Sequence, residues 1–174
     1  KIVQTATHLA TNLRQPCFVV TSNRDHYLRI EETVQQIPFP KRWRASQEWL
    51  ILPLLSRFAD RICKRIGYPK EEYFLYSPQF DPAWVIRAVC VGLKEDIDVF
   101  QAEFPGYGIV AALASHIIAS IKVGKYPISS IVQHNVEWDR LQEFGHDVRW
   151  IKRMELISLQ AVHEVIAVSQ DDKF

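Results

Sequence analysis

The chain has 174 residues, of which 48% are hydrophobic and 24% charged, and this composition excludes an intrinsically disordered protein. Lysine and arginine total 21 against 20 acidic residues, so a net charge of +1 offers no overall field for binding nucleic acid. No apolar run approaches the roughly 20 residues of a spanning helix, and the first residues do not resemble a signal peptide, which together predict a cytoplasmic protein.

The first half of the chain predicts an order of helix, strand, strand and helix. Its elements are a helix at residues 1–13, strands at 17–21 and 33–39, and a helix at 44–66. The long helix has apolar residues, among them Leu54, Phe58 and Ile62, at helical spacing on one face. It ends at Gly67.

The second half predicts alternating strands and helices after an aromatic-rich loop at residues 68–80. Asp81 and Pro82 have the pattern of an N-cap followed by proline at the first helical position. The predicted elements are a helix at 82–93, a strand at 97–104, a helix at 107–123, a strand at 128–133, a helix at 148–161 and a strand at 165–168. This alternation predicts an α/β fold with a doubly wound parallel sheet, a Rossmann-like domain spanning residues 1–174.

The first predicted element is unusual for such a domain, because doubly wound domains begin with a strand and a glycine turn. Here a helix comes first, and the first strand and glycine loop are lacking. The expectation is a piece of a larger protein.

The cysteines Cys17, Cys63 and Cys90 lie far apart, are odd in number and have largely apolar neighbours. Such a pattern favours buried free thiols in a reducing compartment over a disulfide framework or a zinc site. A metal site at the histidines is not expected either. Four of them have no partner at the spacing of metal ligands, namely His8, His26, His116 and His146.

Polar residues follow successive predicted strands, where ligands bind in open α/β sheets. His134 should emerge at the carboxyl edge of its strand, either as a ligand-binding group or as a structural histidine. Glu103 either accepts hydrogen bonds from a ligand or caps the following helix. Ser169 and Asp172 fit a helix cap, and His163 lies at the opposite edge, where a structural role is expected.

The turn after His134 carries further polar residues. Asn135 can hydrogen-bond its own backbone and stabilise the turn. Glu137 is positioned to pair with Arg140 at the start of the next helix, which would hold the loop that carries His134.

Segments of the chain resemble, in order, those of the N-terminal domain of family 4 retaining glycosyltransferases, which have the two-domain GT-B fold. The matching segments are IDVFQAEFPGYG at residues 97–108, IVQHNVEWDR at 131–140 and ELISLQAVHEVIAVSQDDK at 155–173. The resemblance implies transfer of a sugar from a nucleotide sugar to a hydroxyl on a glycan or lipid-linked acceptor, with retention of configuration and no metal.

The resemblance also implies roles for the polar residues. His134 would contact the transferred sugar as the catalytic residue. The substrate-binding residues would be Glu103, Gly106 and Asn135, and the supporting residues Glu137, Arg140 and Ser169. The donor would be held mostly by a second, C-terminal domain that this chain lacks, so the chain alone is expected to be inactive.

Two alternatives stay open, one from another class and one a transferase of the inverting type. A non-catalytic α/β module that binds a ligand or partner fits the same fold. An inverting GT-B enzyme would need a general base in this domain, and Glu103 or His134 would serve.

The stretch at residues 41–66 combines basic side chains with tryptophans on an amphipathic pattern. That combination suits a peripheral contact with a membrane, at its inner face if the protein is cytoplasmic. A core helix with a solvated basic face has the same pattern and is the favoured interpretation.

Overall fold

A computed structural model describes Asn12 and residues 16–20, 29–31, 34–37, 51–134 and 136–168. The chain divides into two compact units, Lys1–Ile51 and Leu52–Phe174. The expectation of one domain over residues 1–174 stays a prediction, and the predicted helix at residues 1–13 lies outside the described residues except for Asn12, which is helical. Among the described helices, none is both long and apolar enough to cross a membrane.

The first unit contains a three-stranded sheet with the order β1-β3-β2. Its strands are β1 (Cys17–Val20), β2 (Arg29–Glu31) and β3 (Val34–Ile37). The parallel pairing of β1 with β3 confirms two predicted strands, and fully buried Val34 packs against Cys17 and Val19. The antiparallel pairing of β2 with β3 corrects the expectation of an all-parallel sheet, since the residues before β3 were not predicted to form a strand.

The second unit consists of helices and a three-stranded parallel sheet with the order β4-β5-β6. Its strands are β4 (Val99–Ala102), β5 (Ile128–Gln133) and β6 (Glu164–Ala167). Its helices are α1 (Ile51–Arg65), α2 (Tyr73–Tyr76), α3 (Pro82–Lys94), α4 (Pro105–Ile121), α5 (Glu137–Glu143) and α6 (Arg149–Ala161). The fold is therefore mixed α/β, with a parallel sheet flanked by helices.

The core of the second unit lies between its sheet and the helices α4 and α6. Ala102 of β4 and Ile131 of β5 pack against Ala111 of α4 and Leu159 of α6. Burial of such apolar side chains is the main stabilising contribution to a fold of this kind. The parallel pairing of β4 with β5 aligns the two strands, so that both end at the same edge of the sheet.

Local sequence chemistry sets the start of α3 and α4. The Asp81 carboxylate accepts a hydrogen bond from the backbone N–H of Ala83 at 3.0 Å, which confirms the predicted N-cap. Helix α4 begins at Pro105, two residues before the predicted start at residue 107, because proline suits a first turn in which the N–H has no helical partner.

The segment at residues 68–80 is not the predicted loop. It forms α2 between two short 3-10 helices, Lys70–Glu72 and Ser77–Phe80. Tyr68 and Tyr76 are buried in edge-on contact with each other and with Trp150 of α6. Aromatic packing from a distant helix orders this segment, and no local periodicity reports such packing.

Burial differs from prediction along α1 and at two cysteines. The buried face of α1 carries Ala59 and Cys63, whereas Leu54 and Phe58 of the predicted core face are largely exposed. All three cysteines are free, as predicted, but only Cys63 is buried, since Cys17 is half-buried and Cys90 is exposed. Burial, with a smaller contribution from Asp60, raises the pKa of Cys63 from 9.0 to about 11.

Candidate functional site

The candidate site lies where β4 and β5 end at the same edge of the sheet. Glu103 follows the last residue of β4, and His134 follows the last residue of β5. Their side chains are in contact, with 2.8 Å between Nε2 of His134 and Oε2 of Glu103. The two side chains are 33% and 16% exposed, so the pair is accessible from solvent but mostly shielded. The sequence places the two residues at the ends of successive predicted strands, and the structure brings them into contact.

The Glu103 carboxylate is held on both oxygens. His134 contacts Oε2, and the amide of Gln101 donates to Oε1 at 2.7 Å. Phe104 follows in the chain, and its ring centroid lies 6.2 Å from that of His134. The alternative role of Glu103 as a helix cap is wrong, because the N-cap of α4 is Phe104 and no side-chain cap bond is formed there.

The contact with Glu103 defines which nitrogen of His134 is available to a ligand. When its carboxylate is ionised, Glu103 only accepts hydrogen bonds, and this contact then selects the tautomer of His134 in which Nε2–H is the donor. In the neutral ring, Nδ1 is then a hydrogen-bond acceptor. A histidine oriented by a carboxylate in this way can bind a hydroxyl or take a proton from it.

The turn after His134 is held by an ion-pair network. The predicted pair is present, with Nε and Nη2 of Arg140 lying 2.9 and 2.8 Å from Oε2 of Glu137. Nη2 of Arg140 also lies 2.9 Å from Oε1 of Glu72, in the 3-10 helix before α2. Glu137 is buried, so the pair is shielded from screening. The network connects the turn to the 70–76 segment.

A buried carboxylate that the sequence analysis did not identify lies beneath this turn. Glu155 of α6 is 0% exposed. The hydroxyl of Tyr76 and the amide of Gln133 donate to it, as do the backbone N–H groups of Glu137 and Trp138 at 3.4 and 3.3 Å. The last two groups belong to the first turn of α5. Glu155 therefore caps α5 from another helix and fixes both ends of the segment that carries His134.

Two opposing effects act on the pKa of the Glu155 carboxyl group. Burial raises the pKa of its carboxyl group above the ordinary 4.5, and the hydrogen bonds from Trp138, Glu137, Tyr76 and Gln133 limit that rise. The N-terminus of α5 carries the positive end of the helix dipole, which favours the negatively charged form of Glu155.

One pattern in the sequence points to Glu155. It lies between Ile151 and Leu159 at a spacing of four residues, on the buried face of α6. A carboxylate at a core position of an amphipathic helix indicates buried polar partners, since an unpartnered one would be strongly destabilising.

The remaining predicted site residues are distributed as follows. Gly106 is buried in the first turn of α4, where an added Cβ would lie 2.7 Å from the carbonyl carbon of Leu75 and 3.0 Å from Cα of Tyr76. The structure thus gives Gly106 a packing role, and its contact with substrate stays a prediction. Asn135, Ser169 and Asp172 lie outside the described residues.

His163 is at the opposite edge of the sheet from His134, as predicted. Its Nδ1 accepts a hydrogen bond from the backbone N–H of Ser129 at 3.0 Å, and its ring lies against those of Tyr126 and His116. These contacts tie the α6–β6 connection to β5, which is a structural role.

Comparisons of the chain with protein-family models, with curated proteins and with solved structures found no match.

Proposed function

We propose that the chain is the acceptor-side domain of a family 4 retaining glycosyltransferase, in which a doubly wound sheet forms the first half of a GT-B enzyme. The observation that carries this proposal is the contact between His134 and Glu103 at the carboxyl ends of adjacent parallel strands. Both residues stand in segments that resemble motifs of the family, and ligands of open α/β sheets bind at this edge.

In the proposed reaction, a sugar passes from a nucleotide donor to a hydroxyl on a glycan or lipid-linked acceptor. His134 presents Nδ1 to the reacting sugar, while Glu103 orients the ring and faces the acceptor with Asn135. No step is routed through a metal. The charge that develops on the departing phosphate is stabilised by preorganised donors of a second domain, so the chain without that domain is inactive.

The test is turnover of nucleotide sugars by the protein expressed with its donor-binding domain. We expect His134→Ala to lower kcat at least about 100-fold, the usual loss when a positioned acid-base or hydrogen-bonding group is removed. His146→Ala is the matched control, since His146 is exposed in the loop after α5. Unchanged turnover in His134→Ala would remove the proposed catalytic assignment.

An inverting enzyme is a second candidate, favoured by the hydrogen bond between His134 and Glu103. A carboxylate bonded to one nitrogen of an imidazole is the arrangement by which a general base is oriented, and inversion requires such a base on the acceptor side. The proton NMR spectrum of the first-formed product distinguishes the two reactions. We expect the donor's anomeric configuration, and the opposite anomer would replace the retaining proposal with the inverting one.

A non-catalytic binding module is the third candidate, favoured by the engagement of both Glu103 oxygens within the chain. Titration calorimetry with nucleotide sugars and oligosaccharides separates this case from an enzyme. Saturable binding without product, in the protein that carries its donor-binding domain, would support the module.

A further inference from the structure

Helix α1 exposes two large apolar side chains on one face. Leu54 and Phe58 are 60% and 58% exposed and lie one turn apart, so they are neighbours on the helix surface. The opposite face of α1 carries the buried residues Ala59 and Cys63. The exposed face therefore belongs to a helix that is already anchored by its other side.

Basic side chains lie between and after these two apolar residues along the helix. Arg57, Arg61, Lys64 and Arg65 are exposed on α1, and Lys70 follows in the next segment. None of these five cations has an ion-pair partner in the described part of the chain. Elsewhere in that part, carboxylates lie within ion-pair distance of Lys94, Lys122, Lys125, Arg140 and Arg149. Because the whole chain carries a net charge of only +1, this positive field is local.

A shallow cavity of about 410 Å³, widely open to solvent, adjoins the same cations and is lined by Asp60, Arg61, Lys64, Lys70 and Tyr73. Three of the lining side chains are positive and one is negative, so the cavity attracts anions. Ammonium and guanidinium groups at such a place bind phosphate oxygens with charge-assisted hydrogen bonds.

We propose that the exposed face of α1 docks the protein on a bilayer that contains anionic lipid. The docking face is defined by Leu54, Arg57, Phe58, Arg61, Lys64 and Arg65. Leu54 and Phe58 enter the boundary between headgroups and acyl chains, the cations contact the anionic headgroups, and the adjoining cavity receives a headgroup phosphate.

Charge complementarity selects this partner. A helix face that combines exposed apolar side chains with exposed cations has the features of a helix that lies in the plane of a membrane interface. The 15 residues of α1 extend about 22 Å, which is shorter than the hydrocarbon core, so the helix lies on the bilayer and does not span it. This proposal does not depend on the transferase activity, and it narrows the membrane contact predicted from residues 41–66 to a defined set of side chains.

The experiment is co-sedimentation of the full chain with vesicles of phosphatidylcholine, with and without 40% phosphatidylglycerol, at low and physiological salt. We expect binding to the anionic vesicles alone, weakening as salt rises. Each cation near an anionic surface contributes about a five-fold gain in binding. Arg57→Gln with Arg61→Gln should therefore weaken binding about 25-fold, and Leu54→Ser with Phe58→Ser at least 10-fold.

Matched controls carry equivalent changes away from α1. Ile121→Ser with Val123→Ser removes two exposed apolar side chains, and Lys94→Gln with Arg153→Gln removes two exposed cations. Both controls should bind like the parent, and thermal melts should show every variant folded. Equal binding to neutral vesicles, unchanged binding by the Leu54 and Phe58 variant, or equal losses in the controls would each overturn the proposal.

A direct readout of insertion comes from Phe58→Trp, an aromatic replacement at an exposed position. Brominated acyl chains should quench the added tryptophan more than the tryptophans of the parent. Quenching no greater than in the parent would show that Phe58 does not reach the acyl region and would also overturn the proposal.

Discussion

Glu155→Ala is expected to lower the free energy of unfolding by about 4 kcal/mol, because each buried donor left unpaired costs about 1–3 kcal/mol. The substitution would leave the hydroxyl of Tyr76, the amide of Gln133 and the backbone N–H groups of Glu137 and Trp138 without their acceptor. For a chain of this length the melting temperature should fall by roughly 10 °C. Chemical denaturation monitored by circular dichroism measures the effect.

The control for this substitution is Glu143→Ala, which removes an exposed carboxylate from α5. Such surface changes usually alter stability by less than about 0.5 kcal/mol. Hydrogen exchange adds a local readout, since the amides of Glu137 and Trp138 should lose protection in Glu155→Ala at temperatures where the fold persists. Equal stability and equal protection in parent and variant would show that Glu155 does not hold the turn.

The pH dependence of the same site has a defined sign. Burial raises the pKa of Glu155 in the folded chain above its ordinary 4.5, so the folded state binds a proton more readily than the unfolded state. The contribution of this group is therefore largest below pH 4.5 and decreases as pH rises through the folded pKa. Glutamine at this position does not titrate. The difference in the free energy of unfolding between the parent and Glu155→Gln should therefore become smaller as pH rises from 4.5 through the folded pKa of Glu155.

Gly106→Ala is expected to destabilise the second unit by about 3 kcal/mol. Alanine is intrinsically the better helix former by about 1 kcal/mol, so local propensity alone predicts a gain at this position of α4. The added Cβ would instead overlap the backbone of Leu75 and approach Cα of Tyr76 to 3.0 Å. Backbone atoms cannot rotate away as a side chain can, and overpacking of this kind typically costs 1–3 kcal/mol or more.

Gly145→Ala measures the energetic cost of an unfavourable backbone conformation without the cost of steric overlap. Gly145 has a φ of 76°, and an added Cβ there would meet nothing within 4 Å. Only the left-handed conformation opposes this alanine, at a cost of about 1–2 kcal/mol. Urea denaturation of the two variants should therefore show the larger loss in Gly106→Ala. The opposite order, or a stable Gly106→Ala, would contradict the close packing of α4 against the 70–76 segment.

Several elements could be predicted from the sequence because their determinants are local. The start of α3 follows from Asp81 and Pro82, because the Asp81 carboxylate caps the first turn of the helix and the Pro82 ring fixes φ in that turn. Strand β5 follows from a short run of small and β-branched residues that ends in polar residues, and its bounds match the prediction. The contact of Glu103 with His134 follows from the order of β4 and β5, because parallel neighbouring strands present their carboxyl ends at one edge of the sheet.

Other features depend on residues far apart in the chain. The helical turns at residues 68–80 form around aromatic contacts with Trp150, and their sequence has no clear period. Strand β2 pairs antiparallel with β3, and no alternating pattern marked its three residues. The exposure of Leu54 and Phe58 could not be predicted either, because an apolar stripe on a helix does not indicate which part of the chain packs against it.

The sequence by itself determined the α/β alternation, the Asp81 cap, the bounds of β5 and the pairing of Glu137 with Arg140, since these depend on residues within a few positions or on strand order. It did not determine the end of β4, which lies at Ala102 and not at the predicted residue 104. Only the tertiary structure decided that Glu155 caps α5 from another helix, that Gly106 is packed beneath Leu75, and which face of α1 remains open. The physical reason is that capping, close packing and burial depend on distances between segments, which the chain establishes only when it folds.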